Sequence, residues 1–454
     1  MSALQRVPEL AALSAGQQLI RIPDQTDVPV TPRIRRLIDS AAFARLRHVS
    51  QLGLVALVYP GATHSRFEHS LGVYRNALLY LQQLLRYPET SQIIGVEDVE
   101  CFLVAALLHD LGHWPYCHPI EDLQLPGWPT HEQAAAGFLA DGEIQDCLRT
   151  DWGLSSDSIL RLLTKQTSSV AGRLLSTMLS GPIDIDKLDY LYRDSLHAGV
   201  PYGRQIDAQR IIASLCLNQA GDGLAISEKG RTAAELMVFA RYVMFCEVYW
   251  HPAVRSATAM LQRAIFECSP YLTANQMLGL SDEGARRWLI QQSLGSPVQN
   301  LVEGLFGEQR RLYKRAAQFS FCESPDLFAR LSRRPYGELY QWSQWLAEGL
   351  SRDLGVLVSP HEVLVDAPPV GLEVQFRVSV KMEKSPEFRG LTEISPVVDA
   401  LAARQFDDLV KRVRIFVHPR LAPHCSAEQL TARLTESLPS APPESSDRSN
   451  PTAG

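Results

Sequence analysis

The stretch FLVAALLHDLGHWPYCH, residues 102–118, decides how this chain is read. Seven apolar residues, Phe102 to Leu108, form a buried helical run that ends on an imidazole and a carboxylate, His109 and Asp110. Polar groups at the end of a buried run need partners, because burying them bare is costly. One such partner is a metal: neutral imidazole with carboxylate suits a divalent ion in a mixed N/O site. A single turn cannot fill a coordination shell, so further donors must come from elsewhere. His69, in RFEHSLG, is one candidate, and the acids Asp184, Asp186 and Asp189, in GPIDIDKLDY, are others. The alternatives are a hydrogen-bonded structural pair at His109-Asp110 and a solvated acidic face at 184–189. Six of the twelve histidines fall between residues 64 and 131 (His64, His69, His109, His113, His118, His131), more than an even spread allows.

Outward from that segment, the pattern is mainly α. Thr31 and Pro32 read as an N-cap and first helical position, and helical spacing recurs over 67–87, 98–111, 158–180, 185–196, 206–216 and 232–268. LAISEKG (224–230) suggests a small hairpin arm. Beyond 268, helices are expected around 283–290 and 340–346. Strands are expected within 362–382, then a helix at 396–410 and a strand at 412–418. The division expected is a loose N-terminal arm (1–20), a catalytic domain (21–270), a C-terminal helical and α+β region (271–436) and a Ser/Pro-rich disordered tail (437–454).

With 44 Lys and Arg against 50 Asp and Glu, the net charge of −6 does not suggest a nucleic-acid binder. The eight cysteines are scattered without a CxxC pair, the start lacks a secretory pattern, and the apolar runs are far too short to span a bilayer. The expectation is a protein of the reducing cytoplasm with no membrane partner.

The ordered set His69, His109-Asp110, Asp186 resembles the H…HD…D signature of the HD-domain metal-dependent phosphohydrolases. QLG (51–53), YPGATHSRFEHSLGVY (59–74), HDLGHWPYCHPIED (109–122), HE (131–132) and IDIDKLDYLYRDSLHAGV (183–200) narrow it to the deoxynucleoside triphosphate triphosphohydrolase branch, over roughly residues 20–265. The resemblance implies an HD helical core with a smaller α+β C-terminal region. It implies His69, His109, Asp110 and Asp186 as ligands of a divalent metal (Mg, Mn, Fe, Co, Ni or Zn). His113 and His131 match catalytic histidines, and His118 matches a group near the scissile phosphate. An acid orients such a histidine, and Glu121 and Asp122 both offer one; Glu121 is preferred. Arg66, Lys187 and Arg241 match phosphate contacts. Gln51, Tyr190, Asp194 and Tyr249 match residues around the deoxyribose and nucleoside, with Leu52 under the sugar. Asp39 and Arg47 match positions that read a guanine-nucleotide effector; a helix-surface ion pair is the alternative. The implied activity is hydrolysis of dNTPs to deoxynucleoside and triphosphate by a homo-oligomer (dimer to hexamer). Its rivals are an HD phosphohydrolase acting on another nucleotide and a non-catalytic nucleotide- or nucleic-acid-binding HD protein.

Overall fold

A computed structural model of the chain describes residues 4–15, 18–140, 142–370, 377–402 and 406–437. Helices dominate, as the periodicity predicts, and three small sheets complete the fold. Ser65 caps the Arg66–Leu84 helix, accepting from the Glu68 backbone N–H at 3.3 Å. This helix buries Leu71, Tyr74, Ala77, Leu78 and Leu81 against the Val96–Leu108 helix. The Ile185–Ala198 helix crosses it at Gly72, where an added Cβ would lie 1.9 Å from Asp189 Oδ1. Any side chain at residue 72 would therefore displace the buried Asp189–Arg193 pair.

Local chemistry breaks several long helical patterns. Thr31 caps the Pro32–Asp39 helix as expected, but Ser40 turns extended and its hydroxyl caps a new turn, Ala41–Ala44. Residues 158–180 resolve into the Ser156–Leu163 and Val170–Ser180 helices. Residues 232–268 resolve into Arg231–Met244, a π-helical turn Phe245–Tyr249, and Pro252–Cys268, where Pro252 begins the last helix. The arm expected to be loose is instead packed. Leu4, Val7 and Leu10 join the first apolar core, each side chain worth about 1.5–3 kcal/mol on full burial. Fully buried Glu9 takes hydrogen bonds from Thr31 Oγ1 (2.6 Å) and Arg33 (2.5 and 2.9 Å).

One apolar core gathers residues up to Val254, and a second gathers most of the chain beyond Ala257 together with Trp114, Ile120 and Leu123. Leu224–Ser227 pairs with Leu215–Leu217, so the first half of the expected arm is the second strand of a hairpin, while Glu228–Gly230 is a 3-10 turn. Leu224–Ser227 also pairs in parallel with Ser379–Lys381, which brings the chain back onto the first core. In the second half, Val413–Val417 lies buried between Lys314–Phe319 and Val363–Asp366, antiparallel to both. The helix expected at 396–410 consists of Pro396–Ala402 and Phe406–Val410, and residues 403–405 lie outside the described residues, as do 371–376 of the strand region and 438–454 of the expected tail. No helix among the described residues is long and apolar enough to cross a membrane.

Candidate active site

The Val96–Leu108 helix stops at His109, whose Nδ1 lies 3.0 Å from the Ala106 carbonyl. A carbonyl only accepts, so Nδ1 carries the proton and Nε2 presents a lone pair. His69 repeats the arrangement. Its Nδ1 is 2.8 Å from Asp189 Oδ2, and Asp189 is fixed in turn by Arg193 at 2.7 and 2.8 Å. The two Nε2 atoms face each other at 3.2 Å. Asp186 Oδ1 lies 3.0 Å from His69 Nε2 and 3.8 Å from His109 Nε2; Asp110 Oδ1 lies 3.3 Å from His109 Nε2. Two lone pairs and two carboxylates aimed at one point repel unless a positive charge sits among them. Burial alone would depress the His69 pKa, yet the surrounding carboxylates lift it to about 10, another sign that the pocket is built to hold a cation. His69, His109 and Asp186 already lie within metal-ligand reach of one another. The donor set therefore fits a divalent metal, with Asp189 and Arg193 fixing the tautomer of one ligand. Of the three acids that competed in the sequence, Asp186 faces the centre, Asp189 supports His69, and Asp184 caps the Ile185–Ala198 helix.

A second histidine group adjoins the first. After Asp110 the chain turns at Gly112, where a Cβ would lie 2.0 Å from the His131 carbonyl. The His113 and His131 rings come within 4.0 Å, and His118 lies 5.2 and 5.5 Å from them. His113 Nδ1 is 3.2 Å from Asp110 Oδ1, though without hydrogen-bond geometry, and both its nitrogens are buried. Burial, with the Arg66 charge, holds its pKa well below the ordinary value, so His113 is neutral. His131 is the opposite case. Burial would lower it, but Glu121, bonded to Nδ1 at 2.9 and 3.0 Å, raises it. Glu121 also accepts from the His131 backbone N–H at 2.7 Å, and His118 Nδ1 is more distant, at 3.5 Å. Glu121 is thus first the partner of His131. Burial lifts Asp122 to about 6; its backbone N–H donates to the His118 carbonyl at 3.0 Å, but among the described residues its carboxylate has no hydrogen bond to these histidines. The His118 side chain is 62% exposed and stands at the mouth of the group.

Asp186, Tyr190 and Asp194 follow at i, i+4 and i+8 on one helix, which puts them on one face. Tyr249, at the end of the π-helical turn, donates to Asp194 Oδ2 at 2.6 Å, and its ring meets Tyr190 at 6.5 Å. His64 Nε2 reaches Asp194 Oδ1 at 2.9 Å. Gln51 is held by its backbone N–H to the His64 carbonyl at 3.0 Å; its Oε1 is buried without a protein partner among the described residues. Leu52 packs on the first core.

The cations differ. Arg66 is buried and donates to Asp110 Oδ2 at 2.8 Å, so it belongs to the metal side. Lys187 Nζ is committed to Asp184 Oδ2 at 2.7 Å. Arg241 is buried, with its guanidinium 4.2 Å over Phe406 and 5.3 Å over Phe245. Asp39 and Arg47 are both exposed, on separate helical pieces divided at Ser40, so they do not form one continuous helix face.

Three supporting residues escaped the sequence reading. Arg45 donates to the carbonyls of Leu111 (2.6 Å) and His113 (2.7 Å) and so holds the HDLGH turn. Arg193, four residues after Asp189, carried the i, i+4 signal of a helical ion pair. His64 stood in the histidine-rich window with no role attached; it stacks on His197 at 4.3 Å.

Residues 66–191 match the model of the HD domain, and 206–424 match that of an HD associated region. The uncharacterized protein MJ1154 of Methanocaldococcus jannaschii is 34% identical over 252 residues, 55% of this chain and 49% of that protein. The deoxynucleoside triphosphate triphosphohydrolase SAMHD1 of Gallus gallus is 27% identical over 300 residues, 57% of this chain and 48% of that protein. The chain spans about half the length of the curated relatives it matches. A crystal structure of a hypothetical protein from Aquifex aeolicus superposes with a TM-score of 0.69 at 27% identity, covering 91% of this chain and 99% of that one. With an HD domain followed by an HD associated region and the His/His/Asp/Asp donor set assembled, the chain carries an HD domain and resembles the HD-domain metal-dependent phosphohydrolases.

Proposed function

We propose that the protein hydrolyses deoxynucleoside triphosphates to deoxynucleoside and inorganic triphosphate. The observation that carries this reading is the shared helix face. Asp186 belongs to the metal donors, while Tyr190 and Asp194, one and two turns on, meet Tyr249. A nucleotide lying along that face sets its α-phosphate at the metal side and its sugar at Asp194. The similarity to proteins named deoxynucleoside triphosphate triphosphohydrolase supports the same substrate class.

A divalent metal held by His69, His109, Asp110 and Asp186 supplies Lewis acidity towards a phosphoryl oxygen and an activated water. The chain's own groups do the rest. Arg66, anchored on Asp110, offers its remaining N–H groups to the phosphate charge that builds during the reaction. Lys187 and Arg241 reach the phosphates only by leaving the partners described above. Neutral His113 orients groups beside the metal without adding charge. His131, whose proton is favoured by Glu121, and His118 at the mouth are the proton sources for the leaving 5′-oxygen. Water adds to the α-phosphorus, the bond to the 5′-oxygen breaks, and that oxygen takes the proton. The intact triphosphate then leaves in one step.

Asp194, already accepting from His64 and Tyr249, is the acceptor for a 3′-hydroxyl. The packed Tyr190 and Tyr249 rings leave a 2′-hydroxyl no partner, which costs about 1–3 kcal/mol. A guanine-nucleotide effector at Asp39 and Arg47 and a homo-oligomeric assembly belong to the same proposal. The deciding experiment is chromatography of products from all four dNTPs with several divalent metals. Deoxynucleoside and triphosphate are expected; a nucleoside diphosphate as first product, or GTP cleaved as fast as dGTP, overturns it.

A further inference from the structure

The pocket as described is built from residues before 250. A side chain from far beyond the HD domain nevertheless holds Ser50, the residue before Gln51. Asp282 is the first residue of the Asp282–Ser293 helix, which is rooted in the second apolar core through Ala285 and Leu289. Its Oδ2 accepts two hydrogen bonds from one residue, the Ser50 backbone N–H at 3.0 Å and the Ser50 hydroxyl at 2.5 Å. The neighbouring Glu283 behaves as an ordinary helix acid, exposed and paired with Arg286 and Arg287 of its own helix. Asp282 spends nothing on its own helix: the cap there is Ser281, which accepts from Gly284 at 3.1 Å. Asp282 Oδ1 is buried without a protein partner among the described residues. A carboxylate kept in a site where burial raises its pKa, with both of its hydrogen bonds made to a residue 232 positions earlier in the chain, is there for what it holds.

What it holds is the floor of the pocket. Ser50 forms an isolated bridge with Ser65. On either side, the Gln51 N–H donates to the His64 carbonyl at 3.0 Å and the Arg66 N–H to the Val49 carbonyl at 2.9 Å. Gln51, the Asp194 partner His64 and the Asp110 partner Arg66 all hang on this bridge. The Ser50 hydroxyl also accepts from the Gly53 N–H at 3.2 Å. Gly53 has φ +50° and lies so close to the Tyr116 ring that a Cβ would sit 3.2 Å from it, so the loop after Gln51 favours glycine there.

We infer that Asp282, in the HD associated region, is a positioning residue for sugar recognition: by fixing Ser50 it sets Gln51 against the nucleotide, and the associated region thereby completes the HD pocket. This deepens the substrate reading above and rests on it.

The test uses the full chain with Asp282→Ala, Asp282→Asn and Ser50→Ala. Three quantities are measured: metal content, kcat/KM for dGTP and GTP, and amide exchange over residues 50–53. Asp282→Ala is expected to lower the dGTP-to-GTP ratio roughly tenfold, equivalent to about 1.4 kcal/mol, chiefly through KM for dGTP. It is also expected to speed exchange of the Ser50 amide and to leave the metal bound. Asn keeps an acceptor and should restore most of the selectivity, which a general loss of stability would not allow. Should Asp282→Ala fail to fold, Ser50→Ala removes the hydroxyl contact without leaving a new cavity beside the loop, and the same shift is expected on a smaller scale. Selectivity in the wild type that both Asp282→Ala and Ser50→Ala retain, with exchange unchanged, overturns the Asp282 inference alone. A wild type that cleaves dGTP and GTP equally overturns the substrate reading and the sugar role with it, while the exchange data still report whether Asp282 holds the loop.

Discussion

Two groups of histidines stand side by side here, and they differ in what their Nδ1 atoms touch. In His69 and His109, Nδ1 meets Asp189 and a backbone carbonyl, so both Nε2 lone pairs converge on Asp186 and Asp110. In the second group, His131 Nδ1 is tied to Glu121, His118 stands exposed beside it, and His113 is buried with no hydrogen bond to either nitrogen among the described residues. The first group is organised to give electron pairs to a cation, the second to keep or pass a proton. The partner of a histidine, more than its place in a motif, assigns its role.

The largest effect should come from breaking the first group. Asp110→Ala or His109→Ala should lose most of the bound metal and nearly all turnover. Asp189→Asn keeps every direct donor but takes the charge from the carboxylate that His69 and Arg193 share, so its cost should be milder, about 10- to 100-fold in metal affinity. Elemental analysis checks both. Equal metal in wild type and in the doubly substituted His109→Ala/Asp110→Ala protein would remove the assignment.

That contrast also explains what could be read before the fold was known. The end of an apolar run at His109-Asp110 was visible because periodicity and polarity collide there within a few residues. Asp186, Asp184 and Asp189 could not be ranked by spacing, because three acids within six residues of one helix differ only in which neighbour each faces. Asp282 left no local trace: its partner Ser50 lies 232 residues away, and nothing in SDEGARRW marks a long-range contact. The same limit applies to helix ends. The helical spacing over 232–268 hides a break that Pro252 makes as the first residue of a new helix. The packing of residues 4–15 leaves no local signal, because Glu9, an acid in an apolar stretch, finds Thr31 and Arg33 only in the folded chain.

Breaking the second group should leave the metal in place and slow the chemistry. Loss of a proton-transferring histidine costs about 10²- to 10⁴-fold, and His131→Ala should fall in that range with unchanged metal content. The pH dependence sharpens the point. Burial would depress His131, but the Glu121 bond holds it above the ordinary imidazole value, so its proton is present below that raised pKa and is lost as pH rises through it. The rate should therefore decline on the alkaline side. Glu121→Gln removes the raising partner, leaves burial to act, and should move that decline to lower pH. A pH-rate profile that does not move would separate Glu121 from the proton on His131.

Asp194→Ala tests the neighbouring pocket, where no histidine of either group lies. It leaves His64 and Tyr249 without their shared acceptor. The expected result is lower dNTP turnover, roughly 5- to 150-fold for about 1–3 kcal/mol, with metal retained. Metal loss in this variant would mean that the sugar side and the metal side are a single structural unit.

The smallest effect should come from Asp39 and Arg47, farthest in kind from either histidine group. Neither belongs to the donor sets above, yet Arg47 is joined to them by a short route. Its guanidinium lies 4.1 Å over the Phe67 ring, and Phe67 sits between Arg66 and Glu68, two residues before His69. A purine nucleotide that drew Arg47 off Phe67 would exchange a cation-aromatic contact of about 0.5–1 kcal/mol at an exposed position for contacts of its own. That alters the packing behind Arg66 without touching the metal. Couplings between sites are typically about 1–3 kcal/mol, so acceleration of one dNTP's hydrolysis by a guanine nucleotide should be several-fold. Asp39→Ala should abolish that acceleration with metal content intact. Hyperbolic kinetics with every single dNTP and every mixture would instead leave Arg47 as a support for Phe67 and no more.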